Sequence, residues 1–236
     1  MLRFYISLAL VGILLSASGQ IKKQYELPIK EQNKLIERQF FIRLGVDLSR
    51  FALNYMNDIG HTGFEMSMDA ELNYRYFPTI EMGTNQIEYS QSDIEYHSQG
   101  NYLRLGLNYN MLNYKQRFDR NLFFIGARVG MSRFNQEIPH VVISNPWGDF
   151  QSSYPAENHS AQWFEGVIGL RGEVLPNLYL GYTLRVKQML NHTDFGHLTP
   201  YWIPGYGKGF QSRALGMSYS IFYAIPIKKI KPELGK

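Results

Sequence analysis

The sequence predicts an all-β protein, a closed antiparallel eight-stranded up-and-down transmembrane β-barrel. Eight segments of about a dozen residues alternate between apolar and polar side chains, long loops alternate with short turns, and the polar face combines charged residues with glycines. A strand that crosses a bilayer in a barrel needs roughly 9–11 tilted residues, whereas a typical soluble strand has about five or six. An even number of strands with long loops at one end is the layout of outer-membrane barrels.

Each predicted strand places an apolar side chain at every second position, which is the period of a strand with two different faces. The strands are predicted over residues 39–51, 63–74, 79–89, 101–112, 122–134, 162–175, 178–189 and 213–227.

The order of these strands follows from local signals. Strand one alternates over 42–48, strand two alternates over 64–74 without interruption, and strand three begins after Pro78. Strand four sets the leucines of 103–107 against polar residues, and strand five alternates with glycines on its polar face. Strands six and seven form the longest alternating hairpin, which is joined by a tight turn at Pro176-Asn177. Strand eight alternates up to the start of the C-terminal tail.

The connections predict where each end of the barrel lies. Long loops are predicted over 54–62, 90–100, 135–160 and 191–212, and short turns over 75–78, 113–121 and 176–177. We therefore expect both termini in the periplasm and the long loops outside the cell.

The N-terminal segment has the pattern of a secretory signal peptide. Arg3 precedes an apolar run over 4–15, small residues follow, and cleavage is expected between Ser18 and Gln20. A dozen apolar residues are too few to cross the roughly 30 Å hydrocarbon core as a helix. We therefore predict a signal peptide over 1–19, a short periplasmic extension over 20–37, the barrel over 38–227 and a basic periplasmic tail over 228–236.

Composition excludes several other classes of protein. The 236 residues include no cysteine, which excludes disulfides, cysteine metal sites and cysteine nucleophiles. Aromatic residues make up 15% of the chain, yet the mean hydropathy is only −0.28, which suits a barrel with a polar interior. The net charge of +4 without a long basic run gives little support to nucleic acid binding.

Alternation alone leaves the inward face undecided, because a lipocalin-type barrel or a β-sandwich would turn the apolar face inward. Strand length, loop asymmetry and balanced charges favour the membrane orientation; with Arg75 included, seven basic residues match seven acidic ones on the polar face. An eight-stranded barrel is just wide enough for side chains to fill. The sequence therefore predicts a lumen plugged by ion pairs, with no open channel, although a mixed solvated surface is the alternative. The expected lumen network is Arg43, Asp47, Glu65, Asp69, Glu71, Glu81, Arg104, Arg128, Glu165, Arg171, Glu173, Arg185 and Lys187.

A set of short motifs carries a resemblance to a known family. They are Gly45-Val46-Asp47-Leu48-Ser49, Gly63-Phe64-Glu65, Gly100-Asn101-Tyr102-Leu103-Arg104-Leu105-Gly106, Trp163-Phe164-Glu165, Asn177-Leu178-Tyr179-Leu180-Gly181, Trp202-Ile203-Pro204-Gly205 and Tyr223-Ala224-Ile225-Pro226. In this order the chain resembles an uncharacterised family of Bacteroidota outer-membrane β-barrel proteins, a domain of unknown function. The resemblance implies the fold and the cell outer membrane, and it implies no activity.

The last strand carries a second, weaker resemblance. Gly216, Tyr219, Ile221 and Tyr223 resemble the signal by which the barrel assembly machinery recognises a final strand. We therefore expect that machinery and outer-membrane lipid as partners.

Leads on activity come from the predicted loops. All six histidines lie there, at His61, His97, His140, His159, His192 and His197. This placement suits an external metal or haem site, but it also follows if the barrel wall excludes histidine, and no pair has the i, i+4 spacing of a metal-binding helix. We expect no cofactor.

Aromatic residues give a candidate recognition surface in the third and fourth loops. The candidates for binding an extracellular ligand or protein, such as a sugar, are Trp147, Tyr154, Tyr201, Trp202 and Tyr206. Alternatively these aromatics belong to the interfacial belt, or residues 201–210 fold over the barrel mouth.

Catalysis is the third class of function that the loops suggest, after metal or haem binding and ligand recognition. His192-Thr193-Asp194 and Ser212 supply the residue types of a lipid-modifying hydrolase, but nothing in the sequence fixes their geometry. We expect no catalysis, and a structural or surface-interaction role. The alternative is a barrel that binds an external metal, haem or sugar through its long loops.

Overall fold

The computed structural model describes residues 38–50, 60–72, 75–91, 93–112, 121–146, 148–191 and 199–230. The predicted signal peptide, the extension over 20–37 and the last residues of the tail lie outside this part of the chain. The barrel is one compact unit, Gln39–Lys229. No helix in the described part has the length and apolarity needed to cross a membrane.

Eight long strands form a closed ring in which each strand is antiparallel to its described partners. The strands are β1 (Arg38–Asp47), β2 (Gly60–Ala70), β3 (Tyr76–Gln91), β4 (Ile94–Asn110), β5 (Leu122–Asn145), β6 (Gly148–Leu175), β7 (Leu178–Met189), two short strands β8 (Trp202–Ile203) and β9 (Gly207–Lys208), and β10 (Arg213–Ile230). The ring order is β1-β10-β7-β6-β5-β4-β3-β2, so every long strand pairs with its neighbours in sequence and β1 meets β10 to close the barrel. The predicted up-and-down barrel is confirmed.

The alternating side chains divide between the lumen and the outer wall as the sequence predicts. In β4, Arg104 and Asn108 are buried, whereas Leu105 and Leu107 are 44% and 45% exposed. Leu105 lies between Ile80 of β3 and Val129 of β5 in the register of the sheet. The outer wall is therefore apolar and the lumen is polar, which reverses the usual arrangement of a soluble protein.

The turn between β6 and β7 forms where it is predicted. Leu175 pairs with Leu178, which leaves Pro176 and Asn177 as a two-residue turn. Asn177 has a φ of 66°, a left-handed conformation that asparagine tolerates and tight hairpins need.

Two predicted loops are wrong and are mainly strand. The predicted loop over 90–100 is the end of a hairpin in which Gln91 pairs with Ile94, and the loop over 135–160 is a hairpin that ends where Asn145 pairs with Gly148. Polar residues and prolines at these positions indicate loops in the sequence. The strands accommodate them because register shifts on both sides of Ile138 bring an irregularity to the segment that contains Pro139.

The predicted loop location of the histidines changes as well. His97, His140 and His159 lie on the strands of these two hairpins, and His61 lies on β2, which begins at Gly60 and not at the predicted residue 63. His192 and His197 lie outside the described residues. Polar strand extensions beyond the apolar wall can hold histidine as readily as loops can, so loop placement is not required.

Strand one ends earlier than predicted. β1 stops at Asp47, and the Oδ1 atom of Asp47 accepts hydrogen bonds from the backbone N–H (2.9 Å) and the hydroxyl (2.6 Å) of Ser49. A side chain that bonds the backbone two residues later offers an alternative to the β-ladder. The chain leaves the barrel wall at this point.

Candidate functional site: the charged lumen and its plug loop

Glycines lie directly opposite four of the lumen arginines on neighbouring strands. The register pairs Arg104 with Gly130, Arg128 with Gly106, Arg185 with Gly216, and Arg171 with Gly181. Because an eight-stranded barrel is narrow, a glycine in the facing position leaves space for a guanidinium group. At Gly130 the space is taken by Trp163, whose ring a Cβ atom would overlap.

Six buried residues form the first group of ion pairs, named here the loop-end cluster: Glu65, Glu81, Glu165, Arg104, Arg128 and Arg185. Glu81 is its centre, with Arg104 Nε at 2.9 Å, Arg185 NH1 at 2.7 Å and Arg128 also bound. Arg104 bridges Glu81, Glu65 and Glu165. Three acidic and three basic groups are therefore neutralised within one network.

Neutral donors complete the loop-end cluster. The Tyr102 hydroxyl donates to Glu65 at 2.6 Å, and the Trp163 indole N–H donates to Glu165 at 2.7 Å. Arg185 also donates to the Ser218 hydroxyl at 3.0 Å. Buried charges are tolerable only when they are paired and their remaining polar atoms are bonded.

A second group, named here the turn-end cluster, lies nearer the short turns and consists of Arg43, Arg171, Asp69 and Glu71. Asp69 accepts from Arg43 at 3.1 Å and from Arg171 at 2.6 Å, and Glu71 accepts from Arg43 at 2.7 Å. Two acidic groups again balance two basic groups.

Aromatic rings surround the arginines of the turn-end cluster. The Arg171 guanidinium lies 3.7 Å from the centroid of the Phe222 ring, and that of Arg43 lies 4.9 Å from the Phe77 ring. A planar guanidinium stacks well on a ring face. The rings exclude water from the ion pairs and fill this end of the lumen.

The three remaining predicted network residues lie outside the two clusters. Asp47 caps the end of β1 and lies 3.7 Å from Arg50. Glu173 accepts the backbone N–H of Asn177 at 2.8 Å in the β6–β7 turn. Lys187 donates to two backbone carbonyls, as described below. Arg75, placed on the polar face by the sequence pattern, is instead exposed in a turn.

Arg50 is a lumen residue that sequence reasoning missed. Its NH2 group lies 3.2 Å from Glu65, and its side chain is 15% exposed. In a continuous strand the parity of Arg50 would point it outward. The Asp47 cap ends β1 and changes the direction of the chain. The sequence signal for this early end of the strand is an aspartate two residues before a serine.

The segment 199–212, named here the plug loop, folds into the mouth of the barrel at the end opposite the short turns. Ile203 and Tyr206 are almost completely buried against Tyr102, Phe134 and Trp163. Gly205 has a φ of 78° and lies so close to Tyr102 that a Cβ atom would overlap the ring. This arrangement corresponds to the predicted alternative that residues 201–210 cover the mouth.

Lys187 attaches the plug loop to the barrel wall. Its ammonium group donates to the carbonyl of Gly205 at 2.7 Å and to that of Tyr206 at 2.9 Å. The Trp202 carbonyl accepts from the Ser98 hydroxyl at 3.3 Å. The loop is thus held by polar contacts to β7 and β4 as well as by its buried side chains.

Two tyrosines in and near the plug loop have pKa values that are changed by their surroundings. Burial raises the pKa of the Tyr206 phenol above its usual 10.0, and the hydroxyl donates to the carbonyl of Gln211 at 2.8 Å. Burial likewise raises the pKa of Tyr96, whose hydroxyl accepts from the backbone N–H of Trp202 at 3.4 Å. Both phenols stay neutral and hold the plug loop.

The structure divides the aromatic residues that the sequence proposes for ligand binding. Tyr154 and Tyr201 are 43% and 41% exposed, whereas Tyr206 is 1% exposed and contributes nothing to the outer surface. Trp202 is half-buried, with its ring centroid 5.0 Å from that of His61. Trp147 lies outside the described residues.

In the described part of the chain, the histidines proposed for metal chemistry are not brought together in a metal-binding group. Among the described residues no group of three or more His, Cys, Asp or Glu side chains could hold a metal ion. His61 instead bonds Asn85 at 3.0 Å, and His159 contacts Gln136 at 3.1 Å. The His192-Thr193-Asp194 segment lies outside the described residues.

Little free space remains between the two clusters. A cavity of about 10 Å³ is lined by hydroxyl groups and by charged residues of both clusters. That volume is on the order of one water molecule. The described lumen can therefore hold an isolated water, and it has no room there for a solute.

Comparison with known proteins gives a family. A family profile described as Domain of unknown function (DUF6048) matches residues 1–230. The chain belongs to this family. No curated protein matches it in sequence.

Solved structures similar to this DUF6048 member include three outer-membrane or surface proteins. Ail, the attachment invasion locus protein of Yersinia pestis, is 11% identical with a TM-score of 0.41, covering 79% of this chain and 97% of Ail. Neisserial surface protein A is 11% identical with a TM-score of 0.42, covering 78% and 96%. A major outer membrane protein from Thermus thermophilus is 13% identical with a TM-score of 0.40, covering 79% and 98%.

Proposed function

We propose that this protein is an outer-membrane barrel with a sealed, charge-packed lumen, and that its role is structural or in surface interaction. The observation that carries the proposal is the reversal of the two faces. Arg104 and Arg185 are 1% and 5% exposed, whereas Leu105 and Leu184 on the same strands are 44% and 46% exposed. A soluble barrel would need the opposite arrangement.

The outer wall supports contact with hydrocarbon. Large exposed apolar residues occur on every long strand, among them Leu44, Met68, Met82, Leu107, Val129, Ile168, Val186 and Met217. Soluble monomers rarely expose a continuous apolar patch larger than a few hundred Å². A wall that is apolar around the whole ring is explained if lipid covers it.

The height of this wall fits a bilayer. Outward-facing residues are apolar or aromatic from Leu103 of β4 to Met111, the residue that follows the strand, which is a span of nine residues. At about 3.4 Å per residue and with the tilt of a barrel strand, this corresponds to the roughly 25 Å apolar band of outer-membrane barrels. The predicted signal peptide supports the same compartment, with outer-membrane lipid and the barrel assembly machinery as partners.

Three features support a barrel that does not conduct solutes. The turn-end cluster, the loop-end cluster and the plug loop occupy successive levels of the lumen, and each is held by contacts already described. Opening a path would expose paired charges and break the bonds of Lys187 to the plug loop. Transport is therefore the function that this geometry supports least.

The extracellular extension supports surface interaction. The β5–β6 hairpin continues beyond the last residue of β7 that pairs with β6, Met189, and carries Phe150 at 57% and Tyr154 at 43% exposure. Tyr201 and Phe210 of the plug loop are also exposed, with ring centroids 6.1 Å apart. Exposed aromatics on a rigid scaffold favour an external ligand or protein as the second candidate function.

Two measurements test the proposal. We expect the protein in the outer-membrane fraction, with migration on a detergent gel that changes on boiling, and we expect no steady conductance in planar bilayers. Migration unchanged by boiling would contradict the membrane barrel, and a stable open pore would contradict the sealed lumen. Stoichiometric retention of a metal or haem would favour the external-ligand alternative, and loss of acyl chains from added lipid A would favour an enzyme.

A further inference from the structure

A groove of about 790 Å³ lies on the outer wall, near the extracellular end of β2 to β6. Its outward-facing side chains include Thr84, Asn101, Asn135, Asn158 and Arg133. The volume is within the range of about 300–1,000 Å³ for ligand sites. Five strands at about 4.8 Å spacing give a width of roughly 19 Å, enough for a disaccharide.

The side chains that line the groove favour a negatively charged ligand. The lining is mainly amides, hydroxyls and backbone, with two phenylalanines, one histidine, one guanidinium group and no carboxylate. Within the described part of the chain, no acidic group lies within ion-pair distance of Arg133, unlike Arg104, Arg128 and Arg185 in the lumen. An exposed, unneutralised guanidinium among hydrogen-bonding amides suits a phosphorylated or sulfated sugar.

Two of the amides are already positioned. Asn135 Nδ2 donates to Asn158 Oδ1 at 3.3 Å across the β5–β6 pair. In the register of the sheet, Asn101 is directly opposite Arg133, and Arg133 is directly opposite Ser160. The groove is therefore a row of polar side chains fixed on paired strands, with the cation on β5, the fourth of its five strands.

The position of the groove identifies the kind of molecule that carries the sugar. Two residues along the strands toward the short turns from Thr84, Asn101 and Arg133, the outward side chains become Met82, Leu103 and Met131. These three apolar residues are themselves neighbours across the sheet. A ligand in the groove thus meets polar groups at one end and the apolar wall at the other.

We propose that this groove binds the phosphorylated sugar headgroup of an outer-leaflet glycolipid, with Arg133 contacting a phosphate, the asparagines contacting sugar hydroxyls, and the acyl chains lying on the apolar wall. The inference rests on the proposed outer-membrane location. It assigns the site to a lipid headgroup, because the groove is continuous with the lipid-facing surface.

Native mass spectrometry of the full chain, purified in dodecyl maltoside, tests the site. Diphosphorylated lipid A is titrated against the unchanged protein, Arg133→Gln, and the matched control Arg213→Gln. Arg213 is also exposed, belongs to β10 on another part of the wall, and bonds only an uncharged side chain among its described contacts, Gln188 at 3.0 Å. Loss of a charge-assisted contact should weaken binding by Arg133→Gln about tenfold, while Arg213→Gln binds like the unchanged protein.

Two further ligands test whether the groove requires a phosphate and whether that phosphate must belong to a lipid. Dephosphorylated lipid A should bind more weakly and should not distinguish Arg133→Gln from the unchanged protein. Glucosamine 1-phosphate should compete only at much higher concentration than lipid A. Equal binding by the two arginine variants, equal binding of dephosphorylated lipid, or equal affinity for the soluble sugar phosphate would overturn the site.

Folding is checked in the same samples by the shift of the gel band on boiling. If Arg133→Gln does not fold, Arg133→Lys and Asn101→Asp replace it: the lysine should retain most of the binding, and the new carboxylate should reduce it. A folded barrel that fails to discriminate phosphate overturns this site alone. A chain absent from the outer membrane overturns the proposed function.

Discussion

Replacing Glu81 by glutamine removes the central charge of the loop-end cluster without changing the size of the side chain. Glu81 is 4% exposed and is shared by Arg104, Arg128 and Arg185. The substitution changes a network of three acidic and three basic groups into one with an excess positive charge in a closed lumen. Two of the guanidinium groups keep other carboxylate partners, and Arg128 does not have one within the described residues.

The expected cost follows from that burial. Removing one partner of a buried ion pair costs about 3–5 kcal/mol, since the remaining charge stays desolvated without its counterion. A cost of this size lowers the folded-to-unfolded ratio by at least about a hundredfold. Glu173→Gln is the matched control, because that carboxylate accepts a backbone N–H in the β6–β7 turn and glutamine can still accept it. We expect a change of about 0.5 kcal/mol there.

Urea unfolding of the refolded barrel in lipid vesicles, followed by tryptophan fluorescence and by the gel shift, measures both variants. The double variant Glu81→Gln, Arg128→Met restores charge balance and should recover part of the loss, with a coupling of about 1–3 kcal/mol. If Glu81→Gln and Glu173→Gln have the same midpoint and slope, the ion pairs do not stabilise the barrel. The reasoning about the lumen would then be refuted.

Three further substitutions test other parts of the structure. Lys187→Met removes two hydrogen bonds to the plug loop, so we expect a loss of about 1–3 kcal/mol and faster cleavage of that loop by added protease; unchanged cleavage would contradict its role as an attachment. Gly130→Ala places a methyl group against Trp163 and should cost about 1–3 kcal/mol by overpacking, whereas Gly166→Ala, which meets open space, should be neutral in the same unfolding assay. Leu105→Arg should destabilise the vesicle-inserted barrel by about 2–4 kcal/mol and Thr84→Arg by at most about 1 kcal/mol; equal effects would show that hydrocarbon does not contact Leu105.

The barrel and the direction of its faces could be predicted because a period of two residues is a strong signal when it continues through eight segments. The same parity places Arg43, Arg104 and Glu165 in the lumen, and the glycine opposite Arg104, Gly130, marks where space is needed. Parity does not predict which side chains form ion pairs with one another within the lumen. Arg185 contacts Glu81 from across the barrel at 2.7 Å, a contact between strands that are not neighbours.

The parts that sequence reasoning missed are those where local signals compete with tertiary context. Pro139 and the surrounding polar residues indicate a loop, yet the facing strand continues the β-ladder around them. Arg50 has outward parity in an uninterrupted strand, yet the cap at Asp47 ends that strand first. Tyr206 belongs to an aromatic loop that could equally cover the mouth or meet a ligand, and burial against Tyr102 and Trp163 decides the matter.

If the lumen is sealed as we propose, binding activity of this protein lies on its outer surface. The charges of the two clusters neutralise one another, and the ammonium group of Lys187 donates its hydrogen bonds to carbonyls of the plug loop. Recognition therefore requires side chains that the interior leaves free, and the outer wall supplies them as a polar groove around Arg133 and as exposed aromatics such as Tyr154. These two features have different salt dependence, since phosphate binding weakens with ionic strength while apolar contact does not. Measuring retention of lipid A and of a protein partner at low and at high salt would thus separate a lipid-binding surface from a protein-binding one.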